Sequence, residues 1–523
     1  MNRARSIGGL ALLLLAETSS AAACSQPKHA AGRTVDVPAG GDLQAALDDA
    51  RPGDTLALAA GATFVGPFTL PRKRGIGWIV VRSAAVNQLP PAGTRVDPSH
   101  ARWMPKLEAD GGSVLRAAPG AHHYRLVGLE IRPSRGAFIT DLVQLGGDGG
   151  QTKANTPAHL ALDRCYLHGD PEVGGRRGLA LNSSSTEIEG CHFADFKERG
   201  ADSQAIAGWN GPGPFRIVNN YLEAAGENVM FGGADPSVRG LVPSDIEVRG
   251  NHFAKPLAWK TAAGDSASWS VKNLFELKNA RRVVVEGNLF ENNWVQSQSG
   301  FAILLTVRNQ DGKAPWSVVE DVTFAHNVVR NSASGVSILG RDDNFPSKQT
   351  RRIRIEHNLF EGIGGSKLGG GGVLLQLVGG ASDVVFDHNT AFHTDNAIMA
   401  EGPAHSRFVF SNNIVQQNEY GIVGTGTGSG LPTLSTYFPD ATVKGNVIVG
   451  GAASSYPASN FFPATLPEVG FAQRAQGWPR LSGSSPYRGA ATDGSDVGAR
   501  VDALKPPRAA GAAGTQPERA DLR

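Results

Sequence analysis

The residues of this chain that could do chemistry gather in a few short apolar segments. LFELKN at 274 carries Glu276 and Lys278, ILLTVRN at 303 carries Arg308, and VSILGRDD at 336 carries Arg341, Asp342 and Asp343. AIAGWN at 205 adds Trp209, and LLQLVGG at 374 adds Gln376. Arginine forks grip carboxylates, an exposed indole offers a stacking face to a sugar, and Glu and Asp side chains can hold Ca²⁺. A lysine crowded by arginines has its charged form disfavoured, which suits a general base. Such a base can take the C5 proton of a uronic acid while an arginine or Ca²⁺ steadies the carboxylate dianion. An acid then assists departure of the glycosidic oxygen, and the sum is β-elimination. Each residue alone also has a plain structural reading. Lys278 and Glu276 can be an outward ion pair, Arg308 can bond loop carbonyls, and Arg341-Asp342-Asp343-Asn344 can be a polar turn before Pro346.

Whether these segments meet depends on what positions them. Ten times an apolar strand runs into the same small polar corner, at Cys165, Cys191, Asn220, Asn251, Asn288, Asn327, Asn358, Asn389, Asn413 and Asn446. The interval varies between 24 and 39 residues, the period of a stacked solenoid in which each unit buries its face only against the next. Period-two alternation with Gly and Asn turns is strand grammar. The expected fold is therefore all-β, a stacked solenoid. An inward Asn amide at each corner can bond the backbone and the amides above and below, so these residues are structural. The histidines at 326, 357 and 388 should form an outward stack. In the second strand of each coil, Phe275 and Leu277 point inward and Glu276 and Lys278 outward. On that alignment Trp209, Gly232, Thr306, Leu339, Gln376 and Glu401 occupy the Lys278 level, and Gly232 and Gly233 leave a flat gap beside Trp209. Asp42 can N-cap a helix carrying Leu43, Ala46 and Leu47, a lid for the solenoid end.

The 523 residues carry a net charge of +2, so no general attraction to nucleic acid is implied. Residues 1–23 have the pattern of a secretory signal peptide, 24–33 read as a linker, 34–503 as the solenoid, and 504–523 as a disordered tail. Ala21-Ala22-Ala23-Cys24 also resembles a degenerate lipobox in which Cys24 carries a lipid anchor. The reading is an exported monomer, periplasmic, extracellular or anchored to the outer membrane, with no membrane span. Cys165 and Cys191 occupy one corner on adjacent coils. Their parallel side chains favour stacked thiols, and an oxidising location leaves a disulfide open.

The opening LQAALDDARPGDTLAL, the GN-[LHV]-[FV] corners and the closing SGSSPYRGAATDGSDVGA resemble the right-handed parallel β-helix superfamily typified by pectate lyases. Around Glu276-Leu277-Lys278, VVVEGNLF and LLTVRNQ, the chain looks distantly like the alginate and chondroitin lyases of that fold. The resemblance implies Lys278 as base and Arg308 as its catalytic partner, with the family's paired acidic Ca²⁺ ligands reduced to Glu276. The aligned face itself suits an acidic polysaccharide as partner, with Trp209, Arg341 and Gln376 on the substrate and Glu276, Asp342 and Asp343 to hold Ca²⁺. The chain departs from that pattern in the Asn279 after the lysine, a corner shifted by one, and a longer intervening coil. Two other readings remain: a cell-surface glycan-binding module without turnover, and a polygalacturonase-type hydrolase using Asp342 and Asp343. The hydrolase motifs N-T-D, G-H-G and R-I-K are missing.

Overall fold

In the computed structural model, which describes residues 32–147, 149–261, 268–472 and 478–504, the chain winds as a right-handed parallel β-helix. The signal-peptide, Cys24 and tail expectations lie outside the described residues, apart from the linker's last two positions and Leu504. Three parallel sheets run the length of the coil. Sheet A has 14 strands, sheet B 13 and sheet C 12. Between its two ends the chain visits A, then B, then C in each coil, so residues tens of positions apart lie one rung apart, about 4.8 Å. Among the described residues no helix is long and apolar enough to cross a membrane.

The interior follows from the alternation. On sheet C, Val229, Phe275, Ile303, Val336 and Leu375 form one inward row through consecutive register pairs. All five are buried. Filling the coil with a Phe or Leu stabilises it by roughly 1.5–3 kcal/mol per side chain. A short helix, α1 (Leu43–Asp49), buries Leu43 and Leu47, and the Asp42 carboxylate accepts from the Ala45 N–H at 2.9 Å.

The corner between sheets A and B carries the expected amide ladder. The Asn288 N–H and its side-chain NH₂ both donate to Asn327 Oδ1, at 2.9 and 3.0 Å, and Asn327 repeats the pattern on Asn358 at 2.9 and 3.1 Å. Each amide also donates to a strand carbonyl, as Asn327 does to Val285 at 2.9 Å. The ladder runs one rung past the expected set, to Asn460. Cys165 and Cys191 continue it at the other end as buried free thiols, with the Cys165 N–H donating to Cys191 Sγ at 3.3 Å.

His326, His357 and His388 stack outside this corner, with ring centroids 5.1 and 4.9 Å apart. They are not left open to solvent. The last strand ends at Val449, and the closing segment turns back along the outside of the coil. Ser495 meets His388 at 3.1 Å, Gly498 bonds the Asn412 carbonyl at 2.8 Å, and Val501 and Leu504 cover Leu289, Val328 and Leu359. The wound part is therefore shorter than the 34–503 read from the sequence.

Candidate functional site on the outer face of sheet C

Lys278 and Arg308 sit on neighbouring rungs. The Arg308 N–H donates to the Lys278 carbonyl at 2.8 Å, directly after the strands Asn273–Leu277 and Phe301–Thr306. Lys278 Nζ lies 3.7 Å from Glu276 Oε1, so the lysine folds back along its own strand over the carboxylate. Glu276 also accepts from Asn273 at 3.1 Å and from Thr306 at 3.2 Å, and it is buried.

The register brings in a row that the sequence reading did not assemble. Asp141, Arg177, Gln204, Glu227 and Asn273 are paired rung by rung on the same outer face. Asp141 holds one arm of the Arg177 guanidinium, whose Nε donates to Gln204 Oε1 at 3.1 Å. Gln204 in turn donates to Glu227 Oε2 at 2.7 Å. Lys272 reaches over from the preceding loop, 2.6 Å from Asp202 and 3.6 Å from Glu227 Oε1. Glu227 is fully buried. Burial pushes its pKa up, Glu276 and Asp202 push the same way, and Lys272 and Lys278 only partly oppose them. Burial works against the charge on Lys272, but Glu227 and Asp202 outweigh it and raise its pKa.

Two oxygens of this row stay without a hydrogen-bond donor. Glu227 Oε1 and Asn273 Oδ1 are buried and unpartnered by hydrogen bonds, on adjacent rungs. Buried polar atoms left this way cost about 1–3 kcal/mol each, and such exceptions concentrate where a site is built. Asn228 and Lys255 brace the loop beneath. The Lys255 ammonium donates to the carbonyls of Ala224, Ala225 and Gly226 at 2.7–2.9 Å and to Asn228 Oδ1 at 3.1 Å. Burial pulls its pKa down to about 7.

Several expected positions are corrected. Trp209 is only 7% exposed and offers no open stacking face; it packs with Ala180, Ala207 and Met230 under the Arg177 guanidinium, 4.9 Å from the ring centre. The flat gap beside it is filled. A Cβ on Gly232, at φ +101°, would lie 2.7 Å from the Lys278 Cβ, so this glycine makes room for the lysine. Gln376 belongs to the Glu276 row, three rungs on through Leu304 and Ser337, while the Lys278 level continues through Thr306, Leu339 and Val378. Its amide oxygen takes the Ser337 hydroxyl at 3.0 Å.

Asp342 and Asp343 do not join Glu276. Both are spent on the Arg308 guanidinium, Asp342 at 2.9 Å. Burial disfavours the Asp342 carboxylate, yet the N–H groups of Asn344 and Asn309 and the Arg308 charge hold its pKa low. Arg308 pays for partial burial with the two aspartates, which raise its pKa. Arg341 is exposed and lines a hollow with Trp316, Lys348 and Arg351 at the next corner of the coil. Among the described residues no group of three or more His, Cys, Asp or Glu converges to hold a metal ion. Glu227 and Asn273 lie on adjacent rungs, and the Asn273 NH₂ donates to Glu276 at 3.1 Å. The signal for Glu227 and Asn273 was available: both open strands whose second halves had already been aligned.

No family model matches the chain, and no curated protein does. Solved structures do. The PL6 family alginate lyase AlyGC superposes over 90% of this chain and 57% of its own, with a TM-score of 0.50 and 11% identity. An arginine-to-alanine mutant of the same enzyme gives 0.51 and 13%, with the same coverage of both chains. A mannuronic acid specific family 6 polysaccharide lyase from human gut microbiota gives 0.43 and 12%, over 82% of this chain and 91% of that one. At this identity the likeness establishes the fold alone. The chain spans little more than half the length of AlyGC.

Proposed function

We propose that the chain is a polysaccharide lyase that cleaves uronate-containing chains by β-elimination on the outer face of sheet C. The observation that carries this reading is the pairing of Lys278 with the buried Glu276, one rung from Arg308, with the buried Glu227 on the adjacent strand held by Lys272. Lys278 serves as the base that takes the C5 proton; its stem packs across Gly232 and its partly buried ammonium lies beside Glu276. Arg308, steadied by Asp342 and Asp343, presents its remaining N–H groups to the leaving side. Glu227, biased toward its protonated form by burial, can hold or return a proton within the site.

With the Glu227 proton displaced, Glu227, Glu276 and the Asn273 side-chain oxygen would be the residues to hold Ca²⁺, two of them carrying a buried oxygen without a hydrogen-bond donor. Bound there, the ion would neutralise the uronate carboxylate as a hard Lewis acid. Asp342 and Asp343 are outside that set. Their commitment to Arg308 also weighs against the hydrolase reading, which needs two free carboxyls flanking the bond.

Incubation with alginate, polygalacturonate and chondroitin, followed at the ultraviolet band of unsaturated uronates, tests the proposal. Elimination predicts growth of that band on at least one substrate. New reducing ends without the band would mean hydrolysis, and binding without either product would leave a glycan-binding module.

A further inference from the structure

At the corner where sheet C passes into sheet A, three hollows of about 770, 500 and 510 Å³ lie in line along the coil. The first and second share Ala158, and the second and third share Gly240, Val242 and Arg281. Their floor follows one line across sheet A, from His122 through Ala158 and Ser184 to Ser244, Arg281 and Arg351. Eight rungs lie along that line. Seven steps at about 4.8 Å give a furrow roughly 34 Å long.

The charge on its walls is one-sided. Arg72, Lys73 and Arg74 edge the first hollow, together with His122, His123 and His159. Lys153, Arg281 and Arg282 line the second, and Arg341, Lys348 and Arg351 the third. The acidic wall residues are Asp245 and Glu320, and both are already taken. Asp245 holds Arg282 through two bonds of 2.7 and 2.8 Å, and Glu320 holds Arg351 at 2.8 Å and Arg352 at 2.9 Å. Among the described residues Arg72, Arg74, Lys153, Arg281, Arg341 and Lys348 form no ion pair. The chain as a whole is nearly neutral, at +2. This much uncompensated charge in one groove is therefore a local feature, and low-dielectric walls focus its field.

We infer that this furrow binds a linear acidic polysaccharide lengthwise, at a site separate from the face that carries Lys278. The charges repeat along the coil axis, as carboxylates or sulfates repeat along such a chain, and arginine forks suit both anions. Among the described residues lining the three hollows there is one indole, Trp316, fixed by its N–H to the Leu241 carbonyl at 3.0 Å and half-buried. Single-stranded nucleic acid is gripped by successive aromatic platforms, and here there is one. The binding needs no turnover, so it stands or falls apart from the lyase proposal.

Calorimetric titration of the full chain with alginate, polygalacturonate, chondroitin sulfate, neutral dextran and single-stranded DNA tests the inference. At least one acidic glycan should bind, more weakly as salt rises, and dextran should not. The Lys153→Ala/Arg281→Ala/Lys348→Ala variant should lose that affinity at least tenfold. The double variant Lys153→Ala/Lys348→Ala, both exposed positions, should lose at least threefold and guards against misfolding of the triple. Equal affinity for dextran, tighter binding of DNA, no binding of any acidic glycan, or furrow variants within twofold of the parent would overturn it. Binding of an acidic glycan by the parent protein with no elimination of any of them would count against the lyase reading alone.

Discussion

The A–B corner and the outer face of sheet C are built by the same winding but differ in how their polar atoms are satisfied. At the corner every Asn amide from Asn220 to Asn446 repeats one pattern, giving to a strand carbonyl and to the next amide on each rung. On sheet C the polar row changes residue type at every rung, from Asp141 to Arg177, Gln204, Glu227 and Asn273. It leaves Glu227 Oε1 and Asn273 Oδ1 buried without a hydrogen bond. Uniform repetition closes a structure, because each copy satisfies its neighbour. A row that breaks the repeat and strands buried oxygens forgoes stability that a purely structural surface would retain. The ladder therefore belongs to the fold, and the broken row is where we place the proposed chemistry.

That division can be broken by substitution. Lys278→Ala should lower elimination by a hundredfold or more, the scale of a general base, read per folded molecule because the buried Glu276 loses its cation. Retained turnover would remove the lysine from the site. Asn327→Ala should do the reverse. It strips partners from Asn288, Val285 and Asn358, and the loss of stability in denaturant titration should be about 2–4 kcal/mol. Activity per folded molecule should hold, and a selective loss of activity would erase the contrast. Gly232→Ala lies between the two. Its positive φ and the contact with Lys278 predict about 1–3 kcal/mol of lost stability together with roughly tenfold weaker turnover, read by parallel melts and assays.

A smaller effect sharpens the contrast through pH. Glu227 holds its proton more tightly in the folded chain than the ordinary 4.5 of a free carboxyl, chiefly because it is buried. Its contribution to stability is complete below that value and is lost as pH rises through the raised folded pKa. Glu227→Gln should flatten this decline in a series of unfolding curves. An unchanged slope would mean that the carboxylate is not held as described.

Much of this was legible in the residues. The corner Asn spacing gave the solenoid, the ladder and the rung-by-rung adjacency of Lys278 and Arg308, because a repeat fixes neighbours without any long-range information. Packing depth was not legible. Trp209 reads as a sugar platform until Arg177 and Met230 cover it. Asp342 and Asp343 read as metal ligands until Arg308 takes them, a pairing set by turn geometry between strands. Gln376 was placed one level off because the alignment slipped by two residues within a strand, which preserves the inward and outward pattern and so gives no warning. The furrow at the C–A corner draws on loops of unlike length, and no repeat announces it.

The central claim is that Lys278 and its buried carboxylate neighbours are where a uronate reacts. A crystal structure of the Lys278→Ala protein soaked with a uronate oligosaccharide tests it most directly. The account predicts a sugar lying across the rungs of Glu227, Asn273 and Thr306 on sheet C, with its C5 facing position 278. Sugar bound only in the furrow between sheets C and A, with the face around Glu276 bare, would contradict it.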